Sequence, residues 1–203
     1  MSHPLITHVR RFVDLDESAE DSLLSFFEPL SVQKKQRIIE EGKLCKYNLF
    51  VVKGCMRLLL IDNKGNEQTI QFAIENWWIT DVAAFLSLRN ASFSVQAIED
   101  CEVLAITASR QEALFREVPA MERYFRHIYE RAYAASLFRV SWIFNLTKEE
   151  FYDHFSANHP DFIQRIPQKM LASFLGFTPE YLSELRKKRA GKGKGGSRNV
   201  KSQ

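Results

Sequence analysis

Residues 37–73 read RIIEEGKLCKYNLFVVKGCMRLLLIDNKGNEQTIQFA. Four short runs rich in β-branched, aromatic and leucine residues lie within them, RIIEEG, YNLFVVKG, CMRLLLID and EQTIQFA, and each closes on a glycine or a polar turn. That length and composition predict strands. Between Ile61 and Glu67 the segment Asp62-Asn63-Lys64-Gly65-Asn66 supplies residues that tolerate positive φ, as a hairpin turn requires. The pattern resumes at SFSVQAI (92–98) and CEVLAI (101–106). Several strands at such close spacing predict an all-β roll or barrel.

On both sides of this block the period changes to that of a helix. Residues 14–30, DLDESAEDSLLSFFEPL, place Ala19, Leu23, Phe26, Phe27 and Leu30 at steps of three and four, which predicts a short amphipathic helix. After the strands, Ser109-x-x-Glu112 reads as a capping box opening a further helix. Pro119 suits a first helical turn, and beyond it Met121, Phe125, Ile128, Ala132, Ala135, Arg139 and Trp142 recur at alternating steps of four and three. That spacing is a heptad seam. About 26 residues at roughly 1.5 Å each make a helix longer than a roll of this size needs, so part of the seam requires another partner, and an identical helix is the simplest. A helix packed wholly on its own domain is the competing reading. Tyr124, Phe125, Tyr129 and Tyr133 are expected to pack at the junction of roll and helix.

Thr147-x-x-Glu150 is a second capping box, starting a helix TKEEFYDHFSANH that Pro160 ends, and it places a domain boundary near residue 146. The last 50 residues contain short helical patterns only. In residues 168–188, QKMLASFLGFTPEYLSELRKK, Leu171, Leu175, Leu182 and Leu185 are apolar and Ala172 is small enough for a second helix to cross close to the first. Gly176 can take the left-handed conformation that ends a helix, and Phe177 fills the corner. Thr178 is a good N-cap, and Pro179 fits the first helical position, where its missing N–H is no loss. These offsets predict a helix–turn–helix, with a helical hairpin unrelated to DNA as the alternative. Thr178, Pro179, Glu180, Ser183, Glu184 and Lys187 then lie away from the leucines, on the face that enters a major groove. Glu180 could accept a hydrogen bond from a cytosine amino group, while Arg186, Lys187 and Lys188 could neutralise phosphates. Glu184 is a second carboxylate, repelled by phosphate unless it reads a base or pairs with a cation.

Charge is distributed unevenly. From Arg186 to the end there are eight Lys or Arg and no acid, whereas the first 185 residues carry 20 basic against 25 acidic residues. An acidic body with a basic end points to a polyanion near the C-terminus. The 45% hydrophobic content excludes wholesale disorder. No apolar run approaches the roughly 18 residues of a membrane span and MSHPLITHVRR lacks a secretory core, so the expected location is cytoplasmic. Cys45, Cys55 and Cys101 are odd in number and far apart, which predicts reduced core residues rather than a disulfide or metal framework. His154 and His159, beside Asp153 and Asp161, read as a solvated helix end, and no metal is expected. No nucleophile–base pair, metal cluster or phosphate loop can be assembled, so no catalytic residues are expected.

Taken together, IIEEGKLCKYNLFVVKGCMRLLLIDNKGNEQTIQFA, the long helix and LASFLGFTPEYLSELRKK resemble the Crp/Fnr family of bacterial transcription regulators over roughly residues 5–188. Glu41-Gly42, Val52-Lys53-Gly54 and the Asn63-Lys64-Gly65 turn carry the likeness in the roll. The resemblance implies an α+β chain: a cyclic-nucleotide-binding-like β-roll over 1–118, a dimerisation helix over 119–146 and a helix-turn-helix DNA-binding domain over 147–189; beyond it, the composition of residues 190–203 predicts a basic flexible tail. It implies double-stranded DNA and a second copy of the chain as partners, with RNA polymerase as a further one and no membrane. Nucleotide-binding members of the family carry a glycine–glutamate pair for the ribose and an arginine–serine pair for the cyclic phosphate. Here those positions align with Thr80-Asp81 and Ala91-Ser92, of which Ser92 alone is retained. Ala91 in place of the phosphate arginine removes the bidentate cation, and Arg89 could substitute only in a rebuilt loop. The expected pocket is therefore degenerate or repurposed, without cyclic AMP and with another small effector left open. The redox and haem variants need clustered cysteines or a placed ligand, and this chain has no such cysteine cluster. Many members follow the recognition helix with a β-hairpin wing, but RAGKGKGGSRNVKSQ has no alternating apolar residues, so the wing is expected to be reduced or absent. A ligand-sensing or protein-interaction module with lapsed DNA binding is the alternative function.

Overall fold

The computed structural model describes residues 3–195, excluding the side chains of Asp21, Asp161 and residues 190–195. The chain forms two compact units, the first ending at Arg139 and the second beginning at Val140.

The first unit is built on eight strands: β1 (Glu28–Val32), β2 (Arg37–Ile39), β3 (Tyr47–Lys53), β4 (Met56–Ile61), β5 (Glu67–Ala73), β6 (Trp78–Ile79), β7 (Ser94–Ala97) and β8 (Cys101–Thr107). They form two antiparallel four-stranded sheets, ordered β1-β8-β3-β6 and β2-β7-β4-β5. Strand alternation divides the apolar residues between two cores. Leu49 and Val51 of β3 join Val103 and Ala105 of β8 in a cluster with Met56, Leu58, Val95 and Ala97 of the second sheet. Phe50, Leu104 and Ile106, one residue out of phase, belong to a second cluster that covers the outer face of the first sheet. That cluster is completed by α1 (Pro4–Val9), α2 (Glu17–Leu23), α4 (Ala108–Glu117) and the start of α5 (Ala120–Asn145). The β4–β5 turn forms as its residues predict: Gly65 has φ +81°, and Asp62 Oδ1 accepts the Lys64 and Asn66 N–H groups at 2.9 and 2.8 Å. Arg57 is buried on β4 and donates from Nε to Gln96 Oε1 at 2.9 Å while pairing with Glu67, so its charge is compensated. The three cysteines are buried and form no disulfide.

Several local readings are corrected. The expected helix over 14–30 ends at Leu23, passes through a short 3-10 turn (Leu24–Phe26) and becomes β1. Pro29 is the reason, because it disfavours helical backbone at Glu28 and tolerates only an edge strand, and β1 pairs with β8 alone. Thr107, not Ser109, caps α4, its side chain accepting the Arg110 N–H at 3.4 Å, because β8 runs directly into the helix. Neither α1, β6 nor α3 (Val82–Ser87) shows a period long enough to be read from sequence.

The second unit holds the end of α5, then α6 (Lys148–Asn158), α7 (Pro160–Arg165), α8 (Gln168–Leu175) and α9 (Pro179–Gly195). The division falls inside α5 rather than at its end because Trp142 packs on Phe151 and edge-on against His154 at 4.4 Å. The Thr147–Glu150 capping box forms in both directions, at 3.3 and 2.8 Å. Pro160 not only stops α6 but occupies the first position of α7. Helix α9 continues through Gly195, so residues 190–195 are helical where a flexible tail was expected, although Gly191, Gly193 and Gly195 are poor helix formers. Residues 196–203, with Arg198 and Lys201 and any wing they carry, lie outside the described residues.

Candidate functional site

Helices α8 and α9 are joined by the turn their sequence predicts. Gly176 adopts φ +73° and ψ +29° and donates to the Ala172 and Ser173 carbonyls, closing α8. Thr178 Oγ1 accepts the Tyr181 N–H at 3.2 Å and caps α9. Leu171, Ala172, Leu175, Phe177, Leu182 and Leu185 are all buried, and Gln168 Nε2 donates to the Pro179 carbonyl at 3.3 Å, tying the two helices together. Burial of that set leaves Thr178, Pro179, Glu180, Glu184 and Lys187 exposed on α9, with Ser183 half-buried.

The cations are placed differently from the expectation. Arg186 turns back and donates to the Ile163 carbonyl at 3.2 Å. Lys188 Nζ lies 3.0 Å from Glu149 Oε1. Arg189 donates from Nε to Asp153 Oδ1 at 2.9 Å, pairs through Nη2 with Asp153 Oδ2, and reaches Glu149 Oε2 at 3.4 Å. Of Arg186, Lys187 and Lys188, then, Lys187 is the one that is exposed without an intramolecular partner among the described residues. The acids responsible, Glu149 and Asp153, lie one turn apart on α6, and nothing in the local pattern marked them as partners of α9. Lys148 is another residue to which the sequence reading gave no role: its Nζ sits over the rings of Phe177 and Tyr181 at 5.9 and 5.3 Å.

In the roll, Thr80, Asp81, Ala91 and Ser92 do come together. Asp81 is buried and caps α3, with Oδ1 accepting the Ala84 N–H at 3.1 Å and Oδ2 accepting the Ser92 N–H at 2.8 Å. Thr80 Oγ1 donates to the Tyr47 carbonyl at 2.7 Å and lies 3.5 Å from the Cys45 thiol, whose pKa burial pushes up. Ala91 is buried and its backbone bridges Lys43 and Gly42. Arg89 is exposed, and its N–H and carbonyl bond Ala84 and Cys45. Two backbone donors of this loop, the Ala84 and Ser92 N–H groups, are thus engaged by the chain's own carboxylate.

Along α5 the heptad seam is corrected. Met121, Tyr124 and Phe125 are buried in the core of the first unit, and Ile128 and Tyr129 pack against it, so these positions offer little surface. Ala132 and Ala135 are exposed and Trp142 is half-buried. The large exposed apolar groups are Tyr133, Leu137 and Phe138 in the first unit, and Val140, Ile143 and Phe144 in the second, with Phe144 82% exposed. Tyr133, expected in the junction packing, is among them. The core takes the near face of α5, and the remaining apolar residues are displaced around the helix from the seam read in sequence.

Among the described residues no group of three His, Cys, Asp or Glu could hold a metal, and no helix is long and apolar enough to cross a membrane. His154 bonds Asn158, and His159 packs on Phe155 and Phe162, where burial and then the neighbouring His154 lower its pKa.

Two packed antiparallel sheets followed by a long helix define the first unit as a roll of cyclic-nucleotide-binding type. The sequence model of the cyclic nucleotide-binding domain matches residues 29–118, which span all eight strands but for the first residue of β1, together with α4. No curated protein sequence matches the chain. Solved structures with the same fold include the catabolite activator protein of Thermus thermophilus, 21% identical, with a TM-score of 0.57 over 94% of this chain and 88% of that one. They also include the c-di-GMP-responsive global regulator CLP of Xanthomonas campestris, 16% identical, with a TM-score of 0.69 over 88% and 93%. FixK2 of Bradyrhizobium japonicum is 17% identical, with a TM-score of 0.61 over 82% and 86%.

Proposed function

We propose that this chain is a DNA-binding transcription regulator of the Crp/Fnr type. It acts as a homodimer that places the first turns of α9 in the major groove. The observation that carries this is the α8–Gly176–α9 unit, whose buried leucines and threonine cap leave a polar, exposed first two turns on the second helix. The likeness to solved regulators over 82–94% of the chain supports it. Glu180 accepts from a base edge, Lys187 contacts phosphate, and Thr178, Ser183 and Glu184 border the groove. The dimer contact uses the exposed apolar residues of α5. The roll takes no cyclic AMP, because Asp81 holds the loop amides and Ala91 supplies no cation.

Retention of genomic fragments by the purified protein, followed by gel shifts on a selected and a scrambled operator, tests the reading. Half-sites about one helical turn apart are expected. Glu180→Ala should relax base preference at one position per half-site by about 1–3 kcal/mol with little change in salt dependence. Equal retention of both DNAs, or of neither, would overturn the assignment. The second reading, an interaction module with lapsed DNA binding, draws on the internal pairing of Lys188 and Arg189, and failure to retain DNA at low salt would favour it.

A further inference from the structure

Lys188 and Arg189 are two cations of α9 that a phosphate backbone would be expected to meet beyond the recognition turns, yet both are already occupied. Glu149 and Asp153 stand four residues apart on α6, hence on one face of it, and receive the two consecutive cations in a cluster of zero net charge. Arg189 meets Asp153 as a two-point fork, the geometry with which arginine also binds a phosphate. The cluster is wet: the side chains keep 55% (Lys188), 39% (Glu149), 30% (Arg189) and 49% (Asp153) of their exposure. Ion pairs so exposed are weak and exchange partners readily.

We propose that Glu149 and Asp153 act as internal stand-ins for DNA phosphates, competing with the duplex for Lys188 and Arg189 and holding the DNA affinity of the second unit down. The inference rests on the DNA-binding reading above. Two consequences follow from charge alone. An approaching duplex must displace two carboxylates that also repel it. Each vacated carboxylate then attracts a cation from solution, which offsets the counterion release that normally drives phosphate binding. The protein should therefore bind DNA more weakly, and with a shallower salt dependence, than its count of basic residues implies. A purely structural role for the same pairs, bracing α9 against α6, predicts the reverse on their removal, since a loosened helix presents its recognition turns less well.

The test is fluorescence anisotropy of a labelled 25-base-pair duplex of random sequence with the full chain, from about 50 to 300 mM KCl. Glu149→Gln with Asp153→Asn should tighten binding at 100 mM salt by about fivefold or more and steepen the slope of log K against log salt by about one to two units, since each freed phosphate contact adds roughly 0.9. Glu149→Gln alone leaves the Arg189–Asp153 fork in place to brace the helices, and should give a smaller gain in the same direction. Unchanged or weakened binding in that single variant, with wild-type binding intact, overturns this inference and leaves the DNA reading standing. Absence of binding by wild type and variants alike, even at 20 mM salt, overturns both.

Discussion

Replacing Asp81 isolates the part of the roll on which the effector reading depends. The carboxylate is 3% exposed and each of its oxygens accepts one backbone N–H, from Ala84 at the start of α3 and from Ser92 at the approach to β7. In Asp81→Ala both donors lose their partner and the helix loses its cap. Loss of an N-cap costs about 0.5–2 kcal/mol, and loss of a charge-assisted hydrogen bond about 1.5–3 kcal/mol. The combined expectation is about 2–5 kcal/mol. Asp81→Asn keeps one acceptor oxygen and sets its amide N–H against the other donor, so it should fall between wild type and the alanine variant. Urea unfolding followed by tryptophan fluorescence measures this, since Trp77 and Trp78 lie within the same roll. An alanine variant destabilised by less than about 0.5 kcal/mol would show that the carboxylate does not hold the loop. Calorimetric titration of wild type with cyclic AMP should give no binding at micromolar concentration, and a micromolar dissociation constant would refute the claim that Asp81 and Ala91 close the site to an anionic nucleotide.

Other perturbations probe the remaining joints. Leu137→Glu places a charge among the exposed apolar residues of α5 and should convert a dimer to a monomer by light scattering; a wild-type monomer at micromolar concentration would remove the basis for that contact. Gly54→Ala should destabilise the roll by about 3 kcal/mol or more, because φ is +104° and a Cβ would lie 2.6 Å from Cys101 Sγ and 2.9 Å from the Asp100 carbonyl oxygen; a change in melting temperature of under two degrees would contradict it. His8 is buried, with Nδ1 2.8 Å from the Tyr124 hydroxyl, which in turn accepts from Trp78 Nε1. Burial, and then the charges of Arg11 and Arg131, hold its pKa down to about 4. The unfolded chain takes up this proton near pH 6.5, so the stabilising effect is full above that pH and is lost as pH falls toward 4, by at most about 3 kcal/mol. His8→Gln should flatten the pH dependence of the urea midpoint between pH 6.5 and 4, and identical profiles for the two proteins would exclude this role for His8.

Local chemistry was decisive wherever a short segment supplied its own constraint. The β4–β5 turn, the Thr147 capping box and the Gly176–Thr178 junction form as read because a glycine, a hydroxyl and a carboxylate act on backbone groups within a few residues of themselves. Six strands were legible from their β-branched runs, whereas β1 and β6 were not, since the first is masked by a helical period ending at Pro29 and the second is two residues long. The pairing of Lys188 and Arg189 with α6, the engagement of Asp81 by Ser92 and the burial of Met121 and Phe125 join residues far apart in the chain, and their partners follow from packing alone. A heptad pattern states that one face of α5 is apolar; it does not state which part of that face the domain's own core consumes. By itself the sequence determined the elements, their caps and the charge asymmetry of this protein. Tertiary structure decided which of those charges and apolar groups stay available to a partner, because availability is what remains after every nearer group has been satisfied.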